Sequence, residues 1–155
     1  LHRIANDSFP ILLNEVLDKI ENNSLIPKAQ KNSDSSYYPL RFPDDGFILF
    51  DKFNAEEIHN RVRALAPPYP GVTTFFMNRK ITIIKTRLTE RPFFGEAGRI
   101  YQVSKLKGIL VCAKDKCLWL EEIIDSNSGN KCMDIFSRYE KFTTINQIAE
   151  DYHDN

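Results

Sequence analysis

Asn54-Ala-Glu-Glu-Ile-His-Asn-Arg-Val-Arg-Ala-Leu-Ala-Pro-Pro-Tyr-Pro-Gly71 separates two kinds of sequence. Asn54 suits a helix cap, and Glu57 stands three residues on, where it can reach back to the cap amide. Glu56 and Glu57 add negative charge at the positive end of the helix dipole. Ala55, Ile58, Val62 and Leu65 recur at spacings of three and four, so one face of the helix turns inward. Pro67 and Pro68 forbid continuation, since proline lacks the amide and crowds the preceding turn. The spacing predicts a helix over 54–66, with a sharp turn at Tyr69-Pro70-Gly71.

Beyond Gly71 the period changes from helical to alternating. Strands are predicted at 72–77, 80–88, 98–104, 109–113 and 117–124, with tight turns at Asn78-Arg79 and Lys114-Asp115-Lys116. Five short strands at this spacing suit a small closed barrel of the OB type. Cys132 to Phe142 reads as a helix, with Met133, Phe136 and Tyr139 packing inward, and Thr144 to Tyr152 as one more short helix. Before the opening stretch, Asp44-Asp45-Gly46 signals a turn and Phe47 to Phe50 a short apolar strand. Tyr37 to Pro43 is extended, because each proline pushes its predecessor out of the helical region. Asn22 to Ser36 is a polar loop. Phe9, Leu12, Leu13, Val16, Leu17 and Ile20 make Ser8 to Asn22 an amphipathic helix, with Ser8 as cap and Pro10 tolerated in the first turn. The expected class is α+β, mainly β: a five-stranded barrel preceded by an N-terminal helix and a connecting helix, and followed by short helices.

Phe42-Pro-Asp-Asp-Gly-Phe-Ile-Leu-Phe50, the helix, and Arg63-Ala-Leu-Ala-Pro-Pro-Tyr-Pro-Gly71 together resemble the interdomain junction of the folate-dependent formyltransferases. That family includes methionyl-tRNA formyltransferase and the enzymes that formylate amino sugar nucleotides. Its motifs are densest from Gln30 to Gly71, and Gly129, Lys131, Met133 and Phe136 match a pattern that follows the barrel in relatives. The chain departs at Phe50, where many relatives have Trp, and at Lys114-Asp115-Lys116, where Gly-Asp-Gly is common. The resemblance implies that residues 1–42 are the end of a catalytic domain and 43–71 a linker. Residues 72–155 are then a C-terminal OB-like domain. It implies 10-formyltetrahydrofolate as donor for the full-length enzyme, none of it bound by this chain. The implied partners are a catalytic domain in the same polypeptide and an acceptor, either a sugar nucleotide or a tRNA. Pro-Pro-Tyr-Pro-Gly resembles the sugar-nucleotide enzymes more than the tRNA enzyme. A stand-alone OB-type binding module is the reading from another class.

Family chemistry needs an Asn, a His two residues beyond it and a later Asp, to supply a base and oxyanion donors. No Asn-x-His occurs in this chain, so no catalytic residue is assigned, and no metal-ligand spacing stands out either. His59 falls off the apolar stripe and reads as solvated. Cys112, Cys117 and Cys132 read as reduced thiols of a cytoplasmic protein. No apolar run approaches the roughly 20 residues that span a bilayer. The net charge is zero, but ten basic residues face three acidic ones from 79 to 116, and three face eight from 117 onward. Arg79, Lys80, Lys85, Arg87, Arg99, Lys105 and Lys107 are therefore the candidates for holding a polyanion, with Phe75, Phe76 and Tyr101 interleaved. Solvated faces of opposite sign are the other reading of the same charges. Arg41 and Arg63, inside the motif, are candidates for substrate contact or for bracing two domains. The stripe of the N-terminal helix offers a surface for the catalytic domain or for self-association.

Overall fold

In the computed structural model, residues 2–145 are described. They divide into two compact units, parting between Pro39 and Leu40. The first unit holds α1 (His2–Glu21) and a single 3-10 turn at Asn32–Asp34. α1 begins six residues before the expected cap, so Ser8 caps nothing and Pro10 lies inside the helix. Its ring removes one rung of the ladder, a loss usually worth about 3 kcal/mol. None of the α1 side chains is buried. Leu12 and Val16 of the stripe stay 57% and 41% exposed.

In the second unit, Pro43–Gly46 forms a 3-10 turn in which the Asp45 carboxylate accepts the Phe42 amide at 2.8 Å. Phe47 to Phe50 makes one bridge to Thr73 rather than a strand, although Ile48 and Phe50 are fully buried. α2 (Ala55–Ala64) follows. Glu57 Oε2 accepts the Asn54 amide at 2.8 Å, as its spacing predicts. Ala55, Ile58 and Val62 are buried, and burying an Ile or Val side chain contributes about 1.5–3 kcal/mol. Asp115 supplies a contact that no local pattern indicates: its Oδ1 accepts the Ala55 amide at 2.8 Å across a sequence separation of 60.

Five antiparallel strands follow: β1 (Val72–Phe76), β2 (Arg79–Leu88), β3 (Ile100–Ser104), β4 (Gly108–Cys112) and β5 (Cys117–Asp125). They lie side by side in the order β1-β2-β5-β4-β3. The first hairpin turns at Met77-Asn78, one residue earlier than expected. Both residues have positive φ (46° and 60°), which a two-residue turn needs to match strand twist. The β3–β4 turn ends at Gly108, where φ is +86° and a Cβ would run into the Leu120 carbonyl. Tyr139 to Thr143 spans between the two edge strands. It exchanges backbone bonds with residues 98–100 on one side, and Thr143 donates to the Phe75 carbonyl of β1 on the other.

That role is why Cys132 to Phe142 is not the expected helix. Only Met133–Ile135 forms a 3-10 turn, and Tyr139 takes a φ of +73°. Phe136 and Phe142 instead enter the core beside Phe76, with ring centroids 4.8 Å and 5.2 Å from it. The main core joins α2, the sheet and these rings. A smaller cluster of Leu110, Cys112, Cys117 and Trp119 forms separately, with Tyr101 against it. The short helix expected at 144–152 lies largely outside the described residues.

Candidate functional site

The pairing of β2 with β5 brings the basic segment onto the acidic one. A bulge interrupts this ladder between Ile83 and Thr86, and the β5 residue passed over is Glu121. Bulges re-aim side chains, and here the carboxylate sits between two cations. Arg87 Nε lies 2.6 Å from Glu121 Oε1, and Lys85 Nζ 3.1 Å from Glu121 Oε2. The Arg87 hydrogen bond, and secondarily Lys85, holds the Glu121 carboxyl below the usual range against partial burial. The Arg87 guanidinium also lies 5.8 Å from the Trp119 ring centroid. Next along β5, Glu122 Oε1 is met by Lys131 Nζ at 3.0 Å.

A second group gathers around Glu96. Lys141 Nζ binds one carboxylate oxygen at 2.6 Å and Arg99 Nη2 the other at 2.6 Å. The Lys141 and Arg99 hydrogen bonds lower the Glu96 pKa in that order. Arg99 also donates to the Tyr139 carbonyl at 2.6 Å. This cation is therefore tied into the segment that spans the sheet edges.

The seven polyanion candidates do not form one stripe. Lys85 and Arg87 share Glu121, and Arg99 belongs to the Glu96 group. Arg79 and Lys80 start β2 at the first hairpin, and the charge of Arg79 acts on Asp125. Lys105 and Lys107 are exposed on the β3–β4 turn, where Ser104 Oγ accepts the Leu106 and Lys107 amides. Of the interleaved aromatics, Phe76 is a core residue. Phe75 packs on Phe47 with centroids 5.8 Å apart, and Tyr101 on Phe93 at 5.6 Å. Arg41 is exposed in the entry segment, and Arg63 is exposed on α2, with Nη1 3.5 Å from Asn60 Oδ1.

Two readings of single residues change. His59 is half-buried, and its Nδ1 lies 2.8 Å from Thr86 Oγ1. Burial first, and then the Arg63 charge, lowers its pKa. Its bond crosses to β2, so only the tertiary fold could reveal it. Cys112 and Cys117 are opposite each other at the end of β4–β5 and are joined as a disulfide, leaving Cys132 free. Hairpin register is what brings them together; counting cysteines could not. Burial raises the pKa of Cys132. Among the described residues no group of three His, Cys, Asp or Glu is arranged to hold a metal ion. No helix among them is long and apolar enough to cross a membrane.

A five-stranded antiparallel sheet with one helix packed on it, many of its charges gathered into ion-paired groups, defines a small α+β domain. A family described as formyl transferase, C-terminal domain, matches residues 42–138, more than half of the chain. The chain belongs to that family. Among solved structures it is similar to a multiply substituted variant of HypX from Aquifex aeolicus, with a TM-score of 0.58, 11% identity and 92% of this chain covered. It is also similar to HypX in complex with tetrahydrofolic acid, with a TM-score of 0.56, 14% identity and 73% of this chain covered. At such identity the likeness is one of fold. The chain spans 23% and 19% of those two chains.

Proposed function

We propose that this chain is the C-terminal part of a 10-formyltetrahydrofolate-dependent formyltransferase that N-formylates an amino sugar nucleotide in the cytoplasm. Its work is positioning and binding, and the chemistry belongs to a catalytic domain of the same polypeptide. Residues 1–42 are the end of that domain, 43–71 the connection, and 72–155 the OB-like unit. Family membership supports the reaction class, and the tetrahydrofolic acid held by HypX supports the donor. The acceptor rests on one observation: Lys85 and Arg87 already share Glu121, and Arg99 is held by Glu96. A long polyanion would have to break these pairs, whereas a sugar nucleotide brings only two phosphates, which the catalytic domain can hold. Arg41, on the entry segment, and Arg63, on α2, are the residues we propose to brace the domains or contact substrate.

The polypeptide that carries this chain should release tetrahydrofolate when given 10-formyltetrahydrofolate and a nucleoside-diphosphate amino sugar. The chain alone should release none above blank. Formylation of methionyl-tRNA in place of the sugar would transfer the assignment to the tRNA enzyme. Reproducible turnover by the chain alone, surviving repurification, would overturn the division of labour.

A further inference from the structure

We infer that Arg138 and Tyr139 form a binding site for a free nucleotide, its base stacked on the Tyr139 ring and a phosphate held by the Arg138 guanidinium. The backbone of Tyr139 is the first observation. Its φ is +73°, a region that a bulky residue enters only at a cost and that glycine enters readily. The other non-glycine cases among the described residues are Asn23 and the hairpin pair Met77 and Asn78. Tyr139 is held there at both ends of its peptide units. Its amide donates to the Ile100 carbonyl at 2.7 Å, and its carbonyl accepts from Arg99 Nη1 at 2.6 Å. Packing does not account for the choice of residue, because Tyr139 remains 59% exposed. A glycine would make the same turn without strain. Backbone strain of this kind collects at sites that clamp a ligand.

Arg138 is the second, independent observation. Its guanidinium lies 5.3 Å from the Tyr139 ring centroid, and its Nε donates to the Tyr101 carbonyl at 3.2 Å. The exposed side chain is thus fixed at Nε, with the two terminal nitrogens left without a partner among the described residues. Lys85, Arg87 and Arg99 each have a carboxylate, and Arg138 has none among those residues. The acidic groups of this region are already engaged: Glu96 holds Arg99 and Lys141, and Glu140 Oε2 accepts the Ser137 amide at 2.7 Å. A fixed guanidinium fork suits a phosphate, which it can bind through paired donors. An exposed aromatic face stacks on a base of any kind. A flat heterocycle and a phosphate one sugar apart make a nucleotide. One ring beside one unpaired arginine matches a single nucleotide and not a run of them. The inference stands whichever acceptor the enzyme uses.

The test needs no formyl donor, so it can fail independently of the enzymatic assignment. The folded chain is titrated with adenosine monophosphate, and separately with adenosine and with inorganic phosphate, while its NMR signals are followed. The site predicts saturable shifts centred on Ile100, Arg138 and Tyr139, with the intact nucleotide bound most tightly. Tyr139→Phe keeps the ring and should bind like the parent. Tyr139→Gly and Tyr139→Asn suit the turn, so they should melt no lower than the parent yet bind roughly tenfold more weakly. Arg138→Gln should bind the nucleotide no better than adenosine. A lower melting temperature in both turn-compatible variants would show that the ring serves packing, and would overturn the inference. So would shifts that never saturate, or undiminished binding by Tyr139→Gly. A short oligoadenylate bound far more tightly than the monomer would overturn it too, and would give the site to single-stranded RNA.

Discussion

At the scale of single residues, two side chains connect elements distant in sequence. Asp115 caps α2 from the β4–β5 turn, and caps are typically worth about 1 kcal/mol. Asp115→Ala should lower stability by about that much in urea unfolding, and Asp115→Asn, which keeps an acceptor, by less. Equal stability for both variants would show that solvent serves the Ala55 amide as well. His59 gives a pH signature. Its pKa in the fold is depressed by burial and by Arg63, so below about 6.5 the unfolded chain binds more protons than the folded one. The His59 contribution is thus present above that pH and is lost as pH falls through the range beneath it. His59→Gln should remove this part of the acid sensitivity, read as the change in melting temperature between pH 7.5 and 5.5. Neither role was legible in the sequence. Each partner, Ala55 for Asp115 and Thr86 for His59, lies tens of residues away.

Among the elements, legibility followed how local the cause was. α2 was readable because its cap, its apolar spacing and its proline stop all lie within one short stretch. Five strands were readable from alternation, with ends displaced by a residue or two. Cys132 to Phe142 was misread because its apolar residues fall at helical spacing. Its backbone instead satisfies the edges of the sheet, and the two phenylalanines fill the core between them. α1 was placed too late because Ser8 and Pro10 make a good start signal, yet the helix runs through them. Its stripe from Phe9 to Ile20 is exposed, and exposed apolar surface of this extent drives association. Light scattering of the chain should report self-association, weakened by Leu12→Glu or Val16→Glu. Association of both variants equal to that of the parent would place the sticky surface elsewhere.

For the whole molecule, the decisive property is what folding does to charge. Along the chain the basic and acidic segments are separate, and the sequence alone left open a surface for a polyanion. Antiparallel pairing of β2 with β5 sets one segment beside the other, and the bulge at Glu121 places a carboxylate between Lys85 and Arg87. Lys105 and Lys107 are exposed on the β3–β4 turn, whereas the partners of Lys85, Arg87 and Arg99 depended on strand register and tertiary packing. The family was legible because its junction motif is contiguous. The proposed acceptor rests on the charge pairing, and tRNA binding by this chain tests it most directly. A protein that neutralises six or more phosphates loses about 10³-fold or more in affinity between 50 and 200 mM salt. We predict weak tRNA binding at physiological salt, a shallow salt slope, and little change on Lys85→Ala or Arg87→Ala. A sub-micromolar complex with a steep slope, weakened by those two substitutions, would contradict the account.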